Sequence, residues 1–353
     1  MPPPVSASRN PRERGRADLA KHRMEIAGES SPRRVAAIDC GTNSIRLLVA
    51  DLRPTYEGSA TVAVADVHRE MRVVRLGEGV DATGRLSGAA IDRTWSALAT
   101  YVAILRAAGA VQVRMAATSA TRDAVNRQDF IDMVRTTLGQ DPEVITGAEE
   151  AELSFRGAVA DLDPDTGPFL VVDIGGGSTE MVVGSVVDGA VEIAGQVSLD
   201  IGCVRITERL LHGDPPTAAE RAEATDWANS VLAGGLDRLP VETVRRLVPV
   251  SGTATTVAAA ALRLPSYDPQ RIHLARVESR RVHEVAAMLL GATRAHRAAL
   301  PYMHPGRVDV IGGGALILSS LVSLTSRRVL AGRIDEITVS EHDILDGLAL
   351  SLA

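Results

Sequence analysis

Two stretches decide how this sequence folds: VAAIDCGTNSIRLLVA, Val35–Ala50, and FLVVDIGGGSTEMVVG, Phe169–Gly184. Superposed at an offset of 134 residues, they put Asp39 on Asp173, Gly41 on Gly175 and Ser44 on Ser178. Apolar runs flank both loops. Each unit therefore reads as strand, tight Gly loop, strand: a β-hairpin with an acid at its mouth. A helical pattern follows in each half, at about 88–108 and 216–237. A duplicated hairpin predicts two similar lobes whose loops face each other across a cleft.

Working outward, the patterning predicts strands at 35–39, 45–52, 61–69 and 111–117, then at 169–174, 179–186, 191–199 and 335–339. Helices are predicted at 88–108, 127–138, 148–160, 203–212, 216–237, 252–262, 280–291, 306–325 and 341–351. Strand triplets alternating with helices give an α/β class. Residues 1–33 are rich in Pro, Arg, Ser and Glu and read as a disordered tail. The first lobe is expected over 34–153 with the C-terminal helix at about 340–353, and the second over 154–339.

With 353 residues and 45% hydrophobic content, the chain is long enough for two domains and too apolar to be disordered. It has no uncharged apolar run of membrane-spanning length and no secretory signal. The two cysteines, Cys40 and Cys203, have no metal-site spacing and fit a reducing, cytoplasmic setting. A net charge of −6 speaks against nucleic acid as partner. The single lysine, Lys21, lies in the tail, so the folded part presents arginine, the better fork for phosphate oxygens.

The loops predict phosphate chemistry. Gly175, Gly176 and Gly177 remove Cβ atoms so that backbone can approach a ligand and form an anion nest, while Ser178 and Thr179 add hydroxyls. Gly41, Thr42, Asn43 and Ser44 offer the same in the first loop. Asp39 and Asp173 beside phosphate would repel it unless a cation sat between, and carboxylate plus phosphate oxygens is the usual magnesium arrangement. Ser251, Gly252 and Thr253 open a helix, where the macrodipole favours an anion. The glycines at 312–314 bring backbone close to a ligand or to another helix; both readings stay open. Arg46, Arg205, Arg276, Arg280 and Arg307 are candidate cations for a phosphate chain.

In these residues the sequence resembles the Ppx/GppA family of exopolyphosphatases and guanosine pentaphosphate phosphatases, members of the actin-like ATPase superfamily. DCGTNSIRLLVAD, AATSATRDAVN, TGAEEAELSFRGA, VVDIGGGSTEMVVG, SLDIGCVRITERLL, SGTATT and VDVIGGGALIL match the family's motifs in order, over about residues 34–350. The likeness is greatest to the short actinobacterial members, and His342-Asp343 is not read as the HD-like module of longer ones. The resemblance implies a two-lobed actin-like (ribonuclease H-like) fold. It implies Glu150 as catalytic base, Arg122 as phosphate-binding arginine, and Asp173, Glu180 and Asp39 as metal and phosphate-site acids.

The reaction implied is magnesium-assisted hydrolysis of the terminal phosphate of polyphosphate or guanosine pentaphosphate, with water activated by Glu150. Members of the family are often dimeric, so a homodimer is expected. Two other classes compete. A kinase of the same superfamily would need an adenine slot, which the 312–314 glycines could help build. A non-catalytic polyphosphate or (p)ppGpp sensor would not need Glu150 or Arg122.

Overall fold

The computed structural model describes residues 33–54, 62–330, 332 and 334–353. The tail expected at 1–33 lies, except for Arg33, outside the described residues. In the first lobe, β1 (Arg33–Cys40), β2 (Ser44–Pro54) and β3 (Val62–Val73) form an antiparallel meander. Next, β4 (Gln112–Ala117) pairs parallel to β1, and β5 (Glu143–Val144) parallel to β4, giving the order β3-β2-β1-β4-β5. The second lobe repeats this. There β6 (Phe169–Ile174), β7 (Thr179–Val187) and β8 (Ala190–Leu199) form the meander, and β9 (Arg246–Val250) is parallel to β6. Then β11 (Glu336–Val339) is parallel to β9, and β10 (Ala275–Glu278) closes that edge antiparallel.

The duplication reaches individual residues. Asp39 faces Arg46 across the first hairpin, and Asp173 faces Glu180 across the second. A register shift interrupts the outer pairing between Val49 and Ala50 in one lobe and between Val183 and Gly184 in the other. Every one of these positions is related by the same offset of 134. Each turn is closed by one hydrogen bond of 3.0 Å, Gly41 N–H to Ser44 O and Gly175 N–H to Ser178 O. The central strands β1 and β6 are buried along nearly their whole length because helices cover both faces, whereas the outer strands β3 and β8 carry exposed polar positions.

The helix Gly147–Val159 joins the lobes. Leu153 packs with Ile344, Leu345 and Leu348 beneath the first sheet, while Ala151, Phe155 and Val159 pack with Phe169, Val171 and Val182 beneath the second. The boundary expected at 153/154 thus falls inside one continuous helix. It crosses the C-terminal helix Ile344–Leu350 at two glycines. A Cβ at Gly157 would lie 1.9 Å from the Asp343 carbonyl, and one at Gly347 2.0 Å from the Leu153 carbonyl.

Three sequence expectations are corrected. The helix expected over 306–325 is a 3-10 turn, Pro305–Arg307, followed by the helix Ile311–Ser326. The strand β10 and the central strand β9 were not expected. Proline rarely sits in a central strand, yet Pro249 does. The ladder between β9 and β11 pairs only Leu247 with Ile337, so Pro249 lies beyond it; its carbonyl still accepts from Ser340 N–H at 3.3 Å.

Candidate active site

The two loops meet face to face. Each is held from behind through its carbonyls. Thr42 O accepts from Gly77 N–H at 2.8 Å, and Asn43 O from Val74 and Arg75 N–H at 3.0 and 2.9 Å. In the second lobe, Gly175 O and Gly176 O accept from Cys203 and Val204 N–H, both at 2.9 Å. With the carbonyls turned outward, the amide edges are left for the cleft, as an anion nest needs. The cleft, ≈ 770 Å³ and partly open to solvent, is lined by both loops together with Glu150, Asp173, Ser251, Gly252, Thr253 and Arg307.

Five buried carboxylates gather here: Asp39, Glu150 and Asp173 line the cleft, while Glu180 faces Asp173 across the hairpin and Asp343 contacts Arg46 from behind the lining. Two arginines face them. Arg46 donates to Asp39 Oδ2 from Nε (2.9 Å) and Nη2 (2.7 Å) and contacts Asp343. Arg122 Nη1 donates to Glu150 Oε2 at 2.9 Å and to the Ile145 carbonyl at 2.9 Å. Five acids against two guanidiniums leave excess negative charge in a desolvated space. Burial raises the Glu150 carboxyl to about 7 despite Arg122, and burial with the nearby Asp343 raises Asp173 to about 6. Burial and the Glu150 charge raise Glu180 as well. Burial would also raise Asp343, but the Arg46 guanidinium outweighs it and holds that carboxyl below its usual range.

Hydroxyls order the acids. Asp173 accepts from Ser251 Oγ at 2.6 Å and from Ser154 Oγ at 2.9 Å. Glu180 Oε1 accepts from Ser198 Oγ at 2.7 Å. Ser251 pays for its position with a left-handed backbone, φ 65°, unusual for a residue bearing Cβ. Among the described residues, Asp39 Oδ1 is buried with no hydrogen-bond partner.

The structure brings most of the expected residues together. Of the adjacent pair, Glu149 turns outward to Arg114 at 2.9 Å and Glu150 turns inward, because consecutive helix positions point apart. Thr179 is corrected: it is the first residue of β7, and its hydroxyl donates to the Ile201 carbonyl at 2.6 Å, away from the cleft. Gly177 does not line the main cleft either; a Cβ there would lie 2.7 Å from Ser119 Oγ, so it serves the close approach of the lobes. Ser251's hydroxyl is committed to Asp173. The glycines 312–314 resolve toward another helix: a Cβ at Gly313 would meet Ile206 at 2.6 Å, and one at Gly314 would meet Thr253 at 2.4 Å.

The three acids expected at a metal do not form one cage. Among the described residues, the trio whose donor atoms lie within 4.8 Å of one another is Asp161, His273 and His342, outside the cleft lining. Of the candidate cations, Arg46 and Arg307 line the cleft; Arg276 pairs with Glu336 and Arg280 with Glu284. Asp343, Ser154 and Ser119 were missed. Burial raises the Cys40 thiol well above its usual range, which keeps it protonated and inert.

Comparison with known proteins decides the lineage. The model of the Ppx/GppA phosphatase family matches residues 57–351. The chain belongs to the Ppx/GppA phosphatase family. It is 53% identical over 325 residues to exopolyphosphatase 2 of Mycobacterium tuberculosis, covering 91% of this chain and 98% of that one. It is 36% identical over 207 residues to the guanosine-5'-triphosphate,3'-diphosphate pyrophosphatase of Vibrio atlanticus, covering 59% of this chain and 39% of that protein. The crystal structure of an exopolyphosphatase from Cytophaga hutchinsonii matches with TM-score 0.79 and 27% identity, over 90% of this chain and 97% of that one. This Ppx/GppA chain is therefore a two-lobed α/β member of a phosphatase family.

One consequence concerns the second loop. A Cβ at Gly176 would lie 2.8 Å from Thr42 Cβ of the facing loop. Gly176→Val therefore pushes the lobes apart as well as filling the phosphate approach. We expect a folded protein that has lost both turnover and protection by phosphate in thermal melts; kinetics like those of the parent would show the loop to be a plain turn.

Proposed function

We propose that this protein hydrolyses the terminal phosphoanhydride of inorganic polyphosphate or of guanosine pentaphosphate, with Glu150 as the base. The carrying observation is the state of Glu150: buried at the meeting point of the two loops, paired with Arg122, and raised to about 7. A base of that affinity exchanges protons readily near neutrality, which suits the activation of water. Glu150 takes a proton from water, the new oxygen–phosphorus bond forms, and the bridging oxygen leaves with the shortened chain. The loop amides and Arg307 stabilise the phosphoryl oxygens, and positioning with charge stabilisation supplies most of the catalysis in such transfers.

The excess carboxylates and the unpartnered Asp39 oxygen fit a divalent cation. Magnesium is held by one or two carboxylates, waters and substrate phosphates rather than by a closed protein cage, so Asp39 and Asp173 would suffice. When bound, magnesium would neutralise phosphate charge. The names of the Mycobacterium and Vibrio relatives support both substrate types. The kinase reading loses its support, since the 312–314 glycines pack on helices. The absence of a spanning helix among the described residues is compatible with a cytoplasmic enzyme.

The pH dependence tests the base. Protonated Glu150 cannot accept a proton, so kcat/KM should fall about tenfold per pH unit below an apparent pKa near 7. A profile flat from pH 5 to 8 under saturating magnesium would assign the base elsewhere.

A further inference from the structure

The second loop is held by one helix, Cys203–Leu210, and that helix also reaches the other lobe. Its first amides take Gly175 O and Gly176 O, as described, and Arg205 Nε takes the third carbonyl, Gly177 O, at 2.7 Å. Gly202 makes the approach possible, since a Cβ there would lie 2.4 Å from Gly176 O. The two terminal nitrogens of Arg205 leave their own lobe. Nη1 donates to Asp81 Oδ1 at 2.5 Å and Nη2 to Asp123 Oδ2 at 2.8 Å. Both acids belong to the first lobe, and Asp123 follows Arg122, the partner of Glu150. Arg209, one turn on, adds a second pairing to Asp81. The side chains of Arg205 and Asp81 are only 12% and 16% exposed, so water screens this pairing less than an ordinary surface pair.

We propose that Arg205 is a positioning residue that ties closure of the two lobes to the carbonyl-outward conformation of the second phosphate loop. One planar guanidinium spends Nε on the loop and both terminal nitrogens on the opposite lobe, a division that a single ammonium cannot reproduce. Only with the lobes together are all its acceptors in place, so that the guanidinium holding Gly177 O is itself fixed by the opposite lobe. Preorganised donors in such a loop stabilise charge without reorganising during the reaction. The kinetic part of this role rests on the proposed hydrolytic function; the geometric part does not.

Two measurements on the full chain separate the parts. Spin labels at Trp95→Cys and Met288→Cys lie on exposed positions of a first-lobe and a second-lobe helix and report inter-lobe distance without turnover, while native Cys40 and Cys203 are buried. The parent should show one narrow distance population. Asp81→Asn with Asp123→Asn, and Arg205→Ala, should both show broader populations extending to longer distances. In kinetics the double Asn variant keeps the Gly177 bond, so KM should rise about tenfold with kcat changed less than about threefold. Arg205→Ala also frees the loop, so its kcat should fall about tenfold or more, and Arg205→Lys should not restore it. Unchanged distances in the double Asn variant, or parent-like kcat and KM in both variants, would overturn the proposal. If Arg205→Ala fails to fold, the double Asn variant alone decides it. A parent that releases no phosphate would overturn the hydrolytic function, while the distances would still test the clamp.

Discussion

Glu150→Gln should lower turnover by about 100-fold or more, the usual scale for losing a general base, while substrate still binds. The amide keeps the shape and an oxygen for Arg122 to donate to, but it cannot accept a proton from water. Its stability should move in the opposite sense. The folded-state pKa of Glu150, about 7, lies above the ordinary carboxylate value near 4.5. The native state therefore holds a proton that the unfolded chain releases, and the stability this gives is lost as pH rises through about 7. An uncharged glutamine carries no such dependence. The variant should melt no lower than the parent at pH 6 and relatively higher at pH 8. A variant hydrolysing substrate at near-parent rate would remove Glu150 from the role of base. One that is inactive only because it melts early would leave the loss to unfolding.

The second large effect is expected at the helix crossing. Gly157→Ala adds a methyl group 1.9 Å from the Asp343 carbonyl, and Gly347→Ala adds one 2.0 Å from the Leu153 carbonyl. Each meets backbone rather than the end of a flexible side chain, so neither helix can yield locally. Overpacking a core costs about 1–3 kcal/mol and sometimes more; a backbone clash belongs at or above the upper end. Gly157→Ala also displaces Asp343, which contacts Arg46 and lies 3.3 Å from Ser251 Oγ. We expect a melting temperature lower by several degrees and, in whatever remains folded, activity down about tenfold or more, the scale of misplaced catalytic groups. Melting and kinetics like the parent's would mean that the helices separate without consequence for the cleft.

Much of this was legible from the two hairpins, because the signals that build them are local: apolar runs of strand length, an acid at the strand end, and glycines where a turn must tighten. Helix geometry also allowed only one of the adjacent Glu149 and Glu150 to face the cleft; the choice of Glu150 rested on the family resemblance. What escaped was non-local or contrary to local rules. Asp343 reads in sequence as no more than a helix cap, and it does cap Ile344–Leu350, accepting from Leu345 N–H at 3.0 Å. Its partner Arg46 lies 297 residues away. Strand β9 was hidden by Pro249, a residue that local rules keep out of central strands. Thr179 was misplaced because the loop's hydroxyls diverge where the strand begins: Ser178 stays on the cleft, while Thr179 turns to Ile201. Nor does sequence show how far apart the oxygens of Asp39, Asp173 and Glu180 stop, because that is set by the packing of both lobes.

The central claim, that two facing Gly loops and a buried base make a phosphoanhydride hydrolase, is tested most directly by measuring orthophosphate release from polyphosphate, guanosine pentaphosphate and ATP by the purified full-length protein, with and without magnesium. The account predicts magnesium-dependent release from polyphosphate or the pentaphosphate and little from ATP. Tight binding of those substrates with no release, or transfer of the ATP terminal phosphate to another acceptor in place of release, would contradict it.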